Sequence, residues 1–276
     1  VNSWGGSKVE SSNTNIVKVS GSAEQSVDAA TYQLVTTGFG TATLTFTNRV
    51  DPTKNVTYNV TVNSFSAPTL NSSSVTLKSV PRNEGSSNLS ATVTVTSPVG
   101  GYEVSSGTNS SIASYSMSGN NCTVKAVKAG STSITFRNKL DNSKTKTYSI
   151  SVTGILYEGQ AVWKYYGYYI APANAATNTQ WNGSITNNSY CSGKKGASWR
   201  IPSKDECRTI LGGSDNAAES VWREYLNKGV FSNEYYWSTT DAGNGNAYIM
   251  LRYMAGAMEI APKEKSYKGV VRCITR

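Results

Sequence analysis

The feature that most constrains this chain is an internal repeat. Residues 40–62 (GTATLTFTNRVDPTKNVTYNVTV) align without a gap on residues 130–152 (GSTSITFRNKLDNSKTKTYSISV), at an offset of 90. Nine of the 23 positions are identical, among them Gly40/Gly130, Phe46/Phe136, Asn48/Asn138, Asp51/Asp141, Lys54/Lys144 and Tyr58/Tyr148. Self-similarity at a fixed period means two copies of one small domain. Each copy alternates apolar residues with Ser and Thr, as in Ala42-Leu44-Phe46 and Tyr148-Ile150-Val152, which is the period of a half-buried strand. The turn formers from Asn48 to Lys54, and from Asn138 to Lys144, join two such strands into a hairpin. Tyr32-Leu34 and Cys122-Val124 supply a further matched strand. Short Thr-, Ser- and Val-rich strands at this spacing predict an all-β sandwich.

The two copies are unequal. The second has upstream strands over Ser74 to Lys78 and Leu89 to Thr96; the first has no counterpart, because Ile16 already matches Ile112. About thirty residues ahead of Val1 are expected to complete the first copy, with strands donated by another chain as the alternative. An incomplete sandwich leaves an open edge, and hence a possible route to oligomers.

Composition excludes several functions. Among 276 residues there is no His. That removes His-ligated zinc, the two-His facial iron site, Ser-His-Asp and Cys-His catalysis, and haem on a proximal His. The net charge is +9, but it is spread evenly. Residues 1–154 carry 12 basic and 7 acidic groups, and residues 155–276 carry 14 and 10. Lys194-Lys195 is only a pair, and Lys263-Glu264-Lys265 is interrupted by an acid. Nucleic acid requires clustered positive charge, so no nucleic-acid partner is expected. No apolar run reaches 18 residues, so no membrane span is expected either.

After Gly154 the composition becomes aromatic and mixed in pattern, and residues 155–276 suffice for one core. Pro202 followed by Ser203-Lys204-Asp205-Glu206 is a capping box that starts a helix, which gives the Asp205-Glu206 pair a structural explanation. Ala218, Val221, Trp222, Tyr225 and Leu226 form one face of a second helix, near Ala217 to Lys228, with Gly229 as its stop. Strands follow over Ala247 to Met254 and Gly269 to Thr275. The aromatic run Tyr165-Tyr166-Gly167-Tyr168-Tyr169 reads as strand and core rim in preference to a sugar-stacking platform.

Two family resemblances attach to these motifs. The stretches SIASYS (111–116), CTVKAVKAGSTSITF (122–136) and YSISV (148–152) resemble bacterial Ig-like group 2 repeats, which implies a non-catalytic spacer on a surface or virion protein. Trp199-Arg200-Ile201-Pro202, Tyr236-Trp237-Ser238-Thr239-Thr240, Asn246-Ala247-Tyr248 and Val270-Val271-Arg272-Cys273 resemble the C-type-lectin-like fold, in its WRLP or Fibrobacter-succinogenes-type branch. The late motifs are also similar to the variable proteins of diversity-generating retroelements. That similarity implies constant positions at Tyr248, Met250, Met258 and Lys263, and varied positions at Ile249, Leu251, Tyr253, Ala257, Glu259 and Ile260.

The expected organisation is an incomplete Ig-like module (1–63), an Ig-like module (64–153) and an α+β C-type-lectin-like domain (154–276). If Tyr248 and Met250 face the core, period 2 turns Ile249 and Leu251 toward solvent. The expected ligand surface is therefore Tyr235, Asp241, Asn244, Asn246, Ile249, Leu251, Tyr253, Ala257, Glu259 and Ile260. The alternative is that Ile249 and Leu251 pack beneath a long loop. The lectin-like resemblance implies a Cys207–Cys273 disulfide, with Cys191–Cys273 as the rival, and Cys122 is expected to be a lone inward thiol. No CxxC spacing suggests zinc, and no Pro context matches the family's calcium motif, so neither metal nor cofactor is expected. The functional expectation is a non-enzymatic, extracellular receptor-binding or adhesion protein on a bacterial surface or phage virion. Its partner would be a protein or glycan on another cell or particle. The alternative is a structural fibre or pilus subunit.

Overall fold

The computed structural model describes residues 2–252 and 258–276; for Leu251 and Arg252 it describes the backbone alone. The chain is mostly β and divides into two compact units, Val1–Ser66 and Ala67–Arg276.

The first unit contains β1 (Ser7–Ser11), β2 (Val17–Ser20), β3 (Glu24–Gln25), β4 (Gln33–Thr36), β5 (Gly40–Asn48) and β6 (Asn55–Val62). They form a sheet of order β3-β1-β5-β6 and a two-stranded sheet, β2-β4. Val9, Val17, Ala42 and Leu44 are the buried centre of its small core.

The second unit begins with a sandwich. Its strands are β7 (Thr69–Leu70), β8 (Ser74–Lys78), β9 (Ser90–Thr96), β10 (Tyr102–Ser106), β11 (Ala113–Ser118), β12 (Asn121–Ala126), β13 (Gly130–Asn138) and β14 (Thr145–Thr153). Sheets β10-β13-β14-β8 and β11-β12-β9-β7 enclose Leu77, Val93, Val95, Cys122, Val124, Ile134, Phe136, Tyr148, Ile150 and Val152. Alternate residues enter this core, Cys122, Val124 and Ala126 from β12, Ile134 and Phe136 from β13, and Tyr148, Ile150 and Val152 from β14, as β-branched and aromatic alternation requires. Cys122 is buried and unpaired.

The identical residues of the repeat build identical local structure. Asn48 N–H donates to Lys54 O and Lys54 N–H to Asp51 O, and Asn138, Lys144 and Asp141 repeat both bonds. Within each turn the Asn Oδ1 accepts backbone amides, and the Asp Oδ1 accepts the amide two residues on. Such side-chain turns explain why Asn and Asp sit there. Gly40 and Gly130 begin β5 and β13 at φ +126° and +150°, and a Cβ at either would come within 2.8 Å or 3.1 Å of the Ile16 or Ile112 Cδ1. A side chain is therefore excluded twice over, by conformation and by space.

Residues beyond the sandwich supply β15 (Leu156–Tyr157), β16 (Gln160–Ala161), β17 (Trp163–Tyr165), β18 (Tyr168–Thr179), α1 (Gly183–Thr186), α2 (Ser189–Ser192), α3 (Lys204–Ile210), β19 (Asn216–Ala217), α4 (Glu219–Asn227), β20 (Tyr236–Gly243), β21 (Asn246–Arg252), β22 (Met258–Glu264) and β23 (Gly269–Thr275). A seven-stranded sheet of order β17-β18-β23-β20-β21-β22-β19 organises them. The sandwich continues into this region without a loose joint. Leu156 belongs to the sandwich core, Ser79 Oγ donates to Ile155 O at 2.6 Å, Arg82 donates to Val162 O and Ala161 O, and Asn83 brackets Lys164.

Both faces of the sheet are covered. One carries Tyr168, Ile170, Tyr236, Met250, Met258, Ile260, Val270 and Ile274 against Cys207 and Ile210 of α3 and Trp222 and Tyr225 of α4. The other carries Ala171, Trp237, Ala247, Ile249, Val271 and Cys273 against Ile185 of α1, Cys191 of α2, Trp199 and Ile201. Hence β23 is buried at all seven positions and shows no alternation in polarity.

The capping box is formed as its sequence requires: Ser203 Oγ accepts Glu206 N–H, and Glu206 Oε2 accepts Ser203 N–H at 3.0 Å. The aromatic run makes a tight hairpin, with Tyr166 and Gly167 at φ +47° and +79° between β17 and β18. Tyr168 is core and Tyr166 is exposed.

Candidate functional site

The described outward position of the expected ligand strand, Ile249, does not face solvent. Ile249 is 0% exposed and lies in the second core with Trp237, Ala247 and Cys273. The parity expectation holds for Met250, in the first core, and for Tyr248, partly buried against it. It fails for Ile249 because the opposite face has a core of its own, supplied by β18, α1, α2 and Trp199. Ile260 is also sealed, at 7% exposure beside its cross-strand partner Met250. Both residues are removed from the ligand surface. The Leu251 side chain, Tyr253 and Ala257 lie outside the described residues. Glu259 is half-buried, between Leu251 of β21 and Asn216 of β19 in register.

Of the remaining candidates, Asp241, Asn244 and Asn246 lie at the β20–β21 turn, and Tyr235 precedes β20 at its other end, where Tyr236 pairs with Met250. Asp241 is exposed; its carboxylate accepts Gly243 N–H at 2.8 Å and pairs with Lys265 Nζ at 2.7 Å. The lysine, then the Gly243 amide, hold its pKa below the ordinary carboxylate range. Asn244 occupies the left-handed region at φ +50° and is followed by Gly245 at +78°, so this tight turn presents Asn244 outward. Asn246 Nδ2 donates back to Asn244 O. Tyr235 is half-buried.

Four residues outside the expected list complete a surface around them. Tyr267 meets Tyr235 edge-on, with centroids 4.8 Å apart at 82°. Lys263 Nζ lies 4.5 Å from the Tyr267 ring and 5.9 Å from that of Tyr235. Lys265 Nζ lies 4.6 Å from the Trp181 ring. Lys263 of β22 points to the face of the second core, as its cross-strand partner Ala247 does, and Lys265 follows in the turn after β22; Trp181, Tyr235 and Tyr267 pack against the margin of that core. Backbone and side-chain bonds fix the assembly. Trp181 N–H donates to Lys265 O, Lys265 N–H to Gly245 O and Tyr267 N–H to Glu264 O. Trp181 Nε1 donates to Ser238 O at 2.9 Å. Partial burial, then its hydrogen bond with Tyr235, raises the Tyr267 pKa, so this phenol is neutral at physiological pH. Among the described residues no carboxylate lies within ion-pair distance of Lys263, whereas Lys265 is neutralised by Asp241. The surface thus offers one unneutralised ammonium between aromatic edges and a second, paired ammonium above an indole. Ring edges give contact area at low entropic cost, and the ammonium favours an acidic group.

The disulfide joins Cys191 to Cys273, and Cys207 is free and buried. This corrects the pairing implied by the lectin-like resemblance. Cys207 lies on the α3 face of the sheet and Cys273 points to the opposite face, where α2 presents Cys191. Among the described residues, no group of three or more His, Cys, Asp or Glu is placed to hold a metal. No described helix is long and apolar enough to cross a membrane.

Glu206 of α3 and Asp215 beyond its end are structurally committed. Glu206 receives both guanidinium nitrogens of Arg200 as well as the Ser203 amide, and Asp215 receives Arg208 and Lys204. Burial of Glu206 pushes its pKa up, but Arg200 and the Ser203 bonds outweigh this and hold it below the ordinary value. A group with a lowered folded pKa stabilises fully above its unfolded pKa, about 4.3, and loses that contribution as pH falls through the folded value. Glu206→Gln is therefore expected to lower Tm at pH 7, with the gap to the native chain narrowing as pH falls below the unfolded pKa of about 4.3 in paired melts. A Tm gap independent of pH would contradict this role.

No protein-family model matches this sequence, and a search of curated proteins returns no match. Among solved structures, domains 4 and 5 of the S-layer protein SbsC are 20% identical, over 54% of this chain and 70% of theirs, with a TM-score of 0.26. This chain spans between 21% and 27% of the longer SbsC fragments that it matches. The C-terminal 282-residue fragment of intimin, solved with the intimin-binding domain of its translocated receptor, is 15% identical over 99% of this chain and 88% of its own, with a TM-score of 0.26. The Yersinia pseudotuberculosis adhesin InvE is 13% identical over 98% and 88%, with a TM-score of 0.25. At these scores the overlays decide neither fold nor function.

Proposed function

We propose that the chain is a non-enzymatic, extracellular ligand-binding protein of the adhesion type. Residues 154–276 form a C-type-lectin-like recognition head, and the two upstream modules are Ig-like spacers. The observation that carries this reading is the aromatic–lysine surface of Trp181, Tyr235, Lys263, Lys265 and Tyr267 beside the exposed Asp241–Asn246 turn. Half-exposed aromatic rings gathered around lysines at the margin of the second core have the composition of a contact surface. The ligand that suits it is a protein or glycan bearing an acidic group. The Cys191–Cys273 disulfide supports an oxidising compartment. The absence of catalysis is supported by the absence of His and by the structural engagement of Glu206, Asp215 and Asp241. This reading does not depend on retroelement-type variation, two of whose outward positions, Ile249 and Ile260, are core.

The test is a binding screen of the full chain on cell and glycan panels, followed by Lys263→Ala and Tyr267→Ala. Each substitution is expected to weaken the strongest interaction found by about tenfold or more, the size expected when a central contact worth about 1.4 kcal/mol or more is removed. Thermal melts should remain within a few degrees of the native chain. Undiminished binding by both variants would overturn the assignment of this surface.

A further inference from the structure

The two sheets of the second sandwich end in four edge strands, β10, β8, β11 and β7. Three of them carry a feature that discourages pairing with another chain. β10 is bulged between Val104 and Ser106 and bears Glu103, paired with Arg137 at 2.6 Å. β8 ends in Lys78, whose backbone bonds to Asn88 in both directions. β7 has only two residues. β11 has none of these features. Its six residues include no charge and no Pro, and it pairs with β12 without a break, from Ala113↔Ala126 to Ser118↔Asn121. Among the described residues no strand lies on its other side. The matching edge of the first module, β2, follows Ile16 as β11 follows Ile112; it is four residues long and carries Lys18. Ala113 N–H donates to Asn109 O, and its carbonyl accepts Thr108 Oγ1, so the Ala113 backbone points away from β12. Alternation turns the backbone groups of Tyr115 and Met117 the same way. These two residues stand beside Val124 and Cys122, both at 0% exposure, yet are themselves 38% and 37% exposed. The apolar face of the core therefore runs on past its last strand.

We propose that β11 pairs antiparallel with β11 of a second copy of this chain, about a twofold axis at Ser116. The occupant follows from the strand itself. Ser114-Tyr115-Ser116-Met117-Ser118 is close to a palindrome, so one register satisfies both copies, as a twofold interface requires. In that register Ser116 faces its own image, Ser114 faces Ser118, and Tyr115 faces Met117 twice. The Tyr115 and Met117 backbone groups, already turned outward, supply the main-chain bonds. Each tyrosine ring meets a thioether, a favourable contact that also covers the apolar overhang. With no charge on either strand, nothing repels the approach. The sheet β7-β9-β12-β11 then continues into its image. Because β11 belongs to the spacer, pairing joins two recognition surfaces in one particle and raises avidity without a new ligand contact. The pairing itself does not rest on the ligand reading.

The test is the mass of the full chain in solution, between about 1 μM and about 1 mM, the span of weak interfaces. The mass is expected to rise from one chain to two, with amide exchange at Tyr115 and Met117 slowed at least tenfold at the upper end. Ser116→Lys sets two ammonium groups face to face at the axis and should weaken the dimer at least tenfold. Its Tm should stay within a few degrees of the native chain, because Ser116 is exposed. Cysteine pairs read the register. Ser116→Cys should link to itself under mild oxidation, whereas Ser114→Cys should link only when mixed with Ser118→Cys. A chain that stays monomeric at about 1 mM, or a dimer that Ser116→Lys leaves intact, would overturn the proposal. So would Ser114→Cys linking to itself as readily as Ser116→Cys.

Discussion

Reduction of the Cys191–Cys273 bond is expected to destabilise the second unit by about 4.5 kcal/mol, the chain-entropy value for the 82-residue separation that it closes. Cys191→Ser and Cys273→Ser should each reproduce most of that loss and abolish the response to reductant. Cys207→Ser should leave the response intact. Burial pushes the Cys207 thiol pKa far up, so in the folded chain it should resist alkylation at neutral pH and react only on unfolding. If Cys207→Ser instead removed the reductant-sensitive transition, the helix α3 cysteine would be the true partner of Cys273. Peptide mapping of the unreduced protein decides the same point independently.

Truncation of Ile249 is the second large effect. A fully buried aliphatic residue cut to Ala typically costs about 2–5 kcal/mol, and Ile249→Asp would also bury a carboxylate without a partner. Ile249→Ala should lower the denaturation midpoint accordingly, while Glu259→Ala, at a half-buried position on the neighbouring strand, should stay within about 0.5 kcal/mol of the native chain. A displayed Ile249 would give the opposite pattern, with unchanged stability and altered ligand binding. The two outcomes separate a core residue from a contact residue without knowledge of the ligand.

What the sequence disclosed, and what it concealed, follows from one property of the sheet. Local signals were legible. Ser203 and Glu206 announce the start of α3, and Asn48, Asp51 and their repeat partners announce the hairpin turns, because these residues bond within a few positions of themselves. The faces of β21 were not legible from alternation. Period 2 separates two faces but does not say how many of them are covered. When helices cover both, Met250 and Ile249 are equally core, and an apolar residue of odd number is mistaken for an exposed one. The same periodicity held an unused signal in Lys263-Glu264-Lys265. Counted along the chain, the acid cancels a lysine. On β22 Lys263 and Glu264 take opposite faces, so the acid does not offset the lysine that lies beside Tyr235 and Tyr267. Trp181 could not be found this way. It reaches Lys265 from the end of β18, a contact made by tertiary structure alone. The cysteine pairing was concealed for the same reason as Ile249: the sheet lies between Cys207 and Cys273, and only the side of the sheet on which each thiol emerges decides the bond.

The most direct test of the central claim is a charge reversal on the recognition surface. Lys263→Glu in the full chain should reduce binding to the strongest cell or glycan target by tenfold or more, and raised salt should weaken native binding in the same direction, because an unneutralised ammonium is the principal charge offered. Tm and near-ultraviolet circular dichroism should match the native chain. Native-level binding by the folded Lys263→Glu protein would contradict recognition through this face.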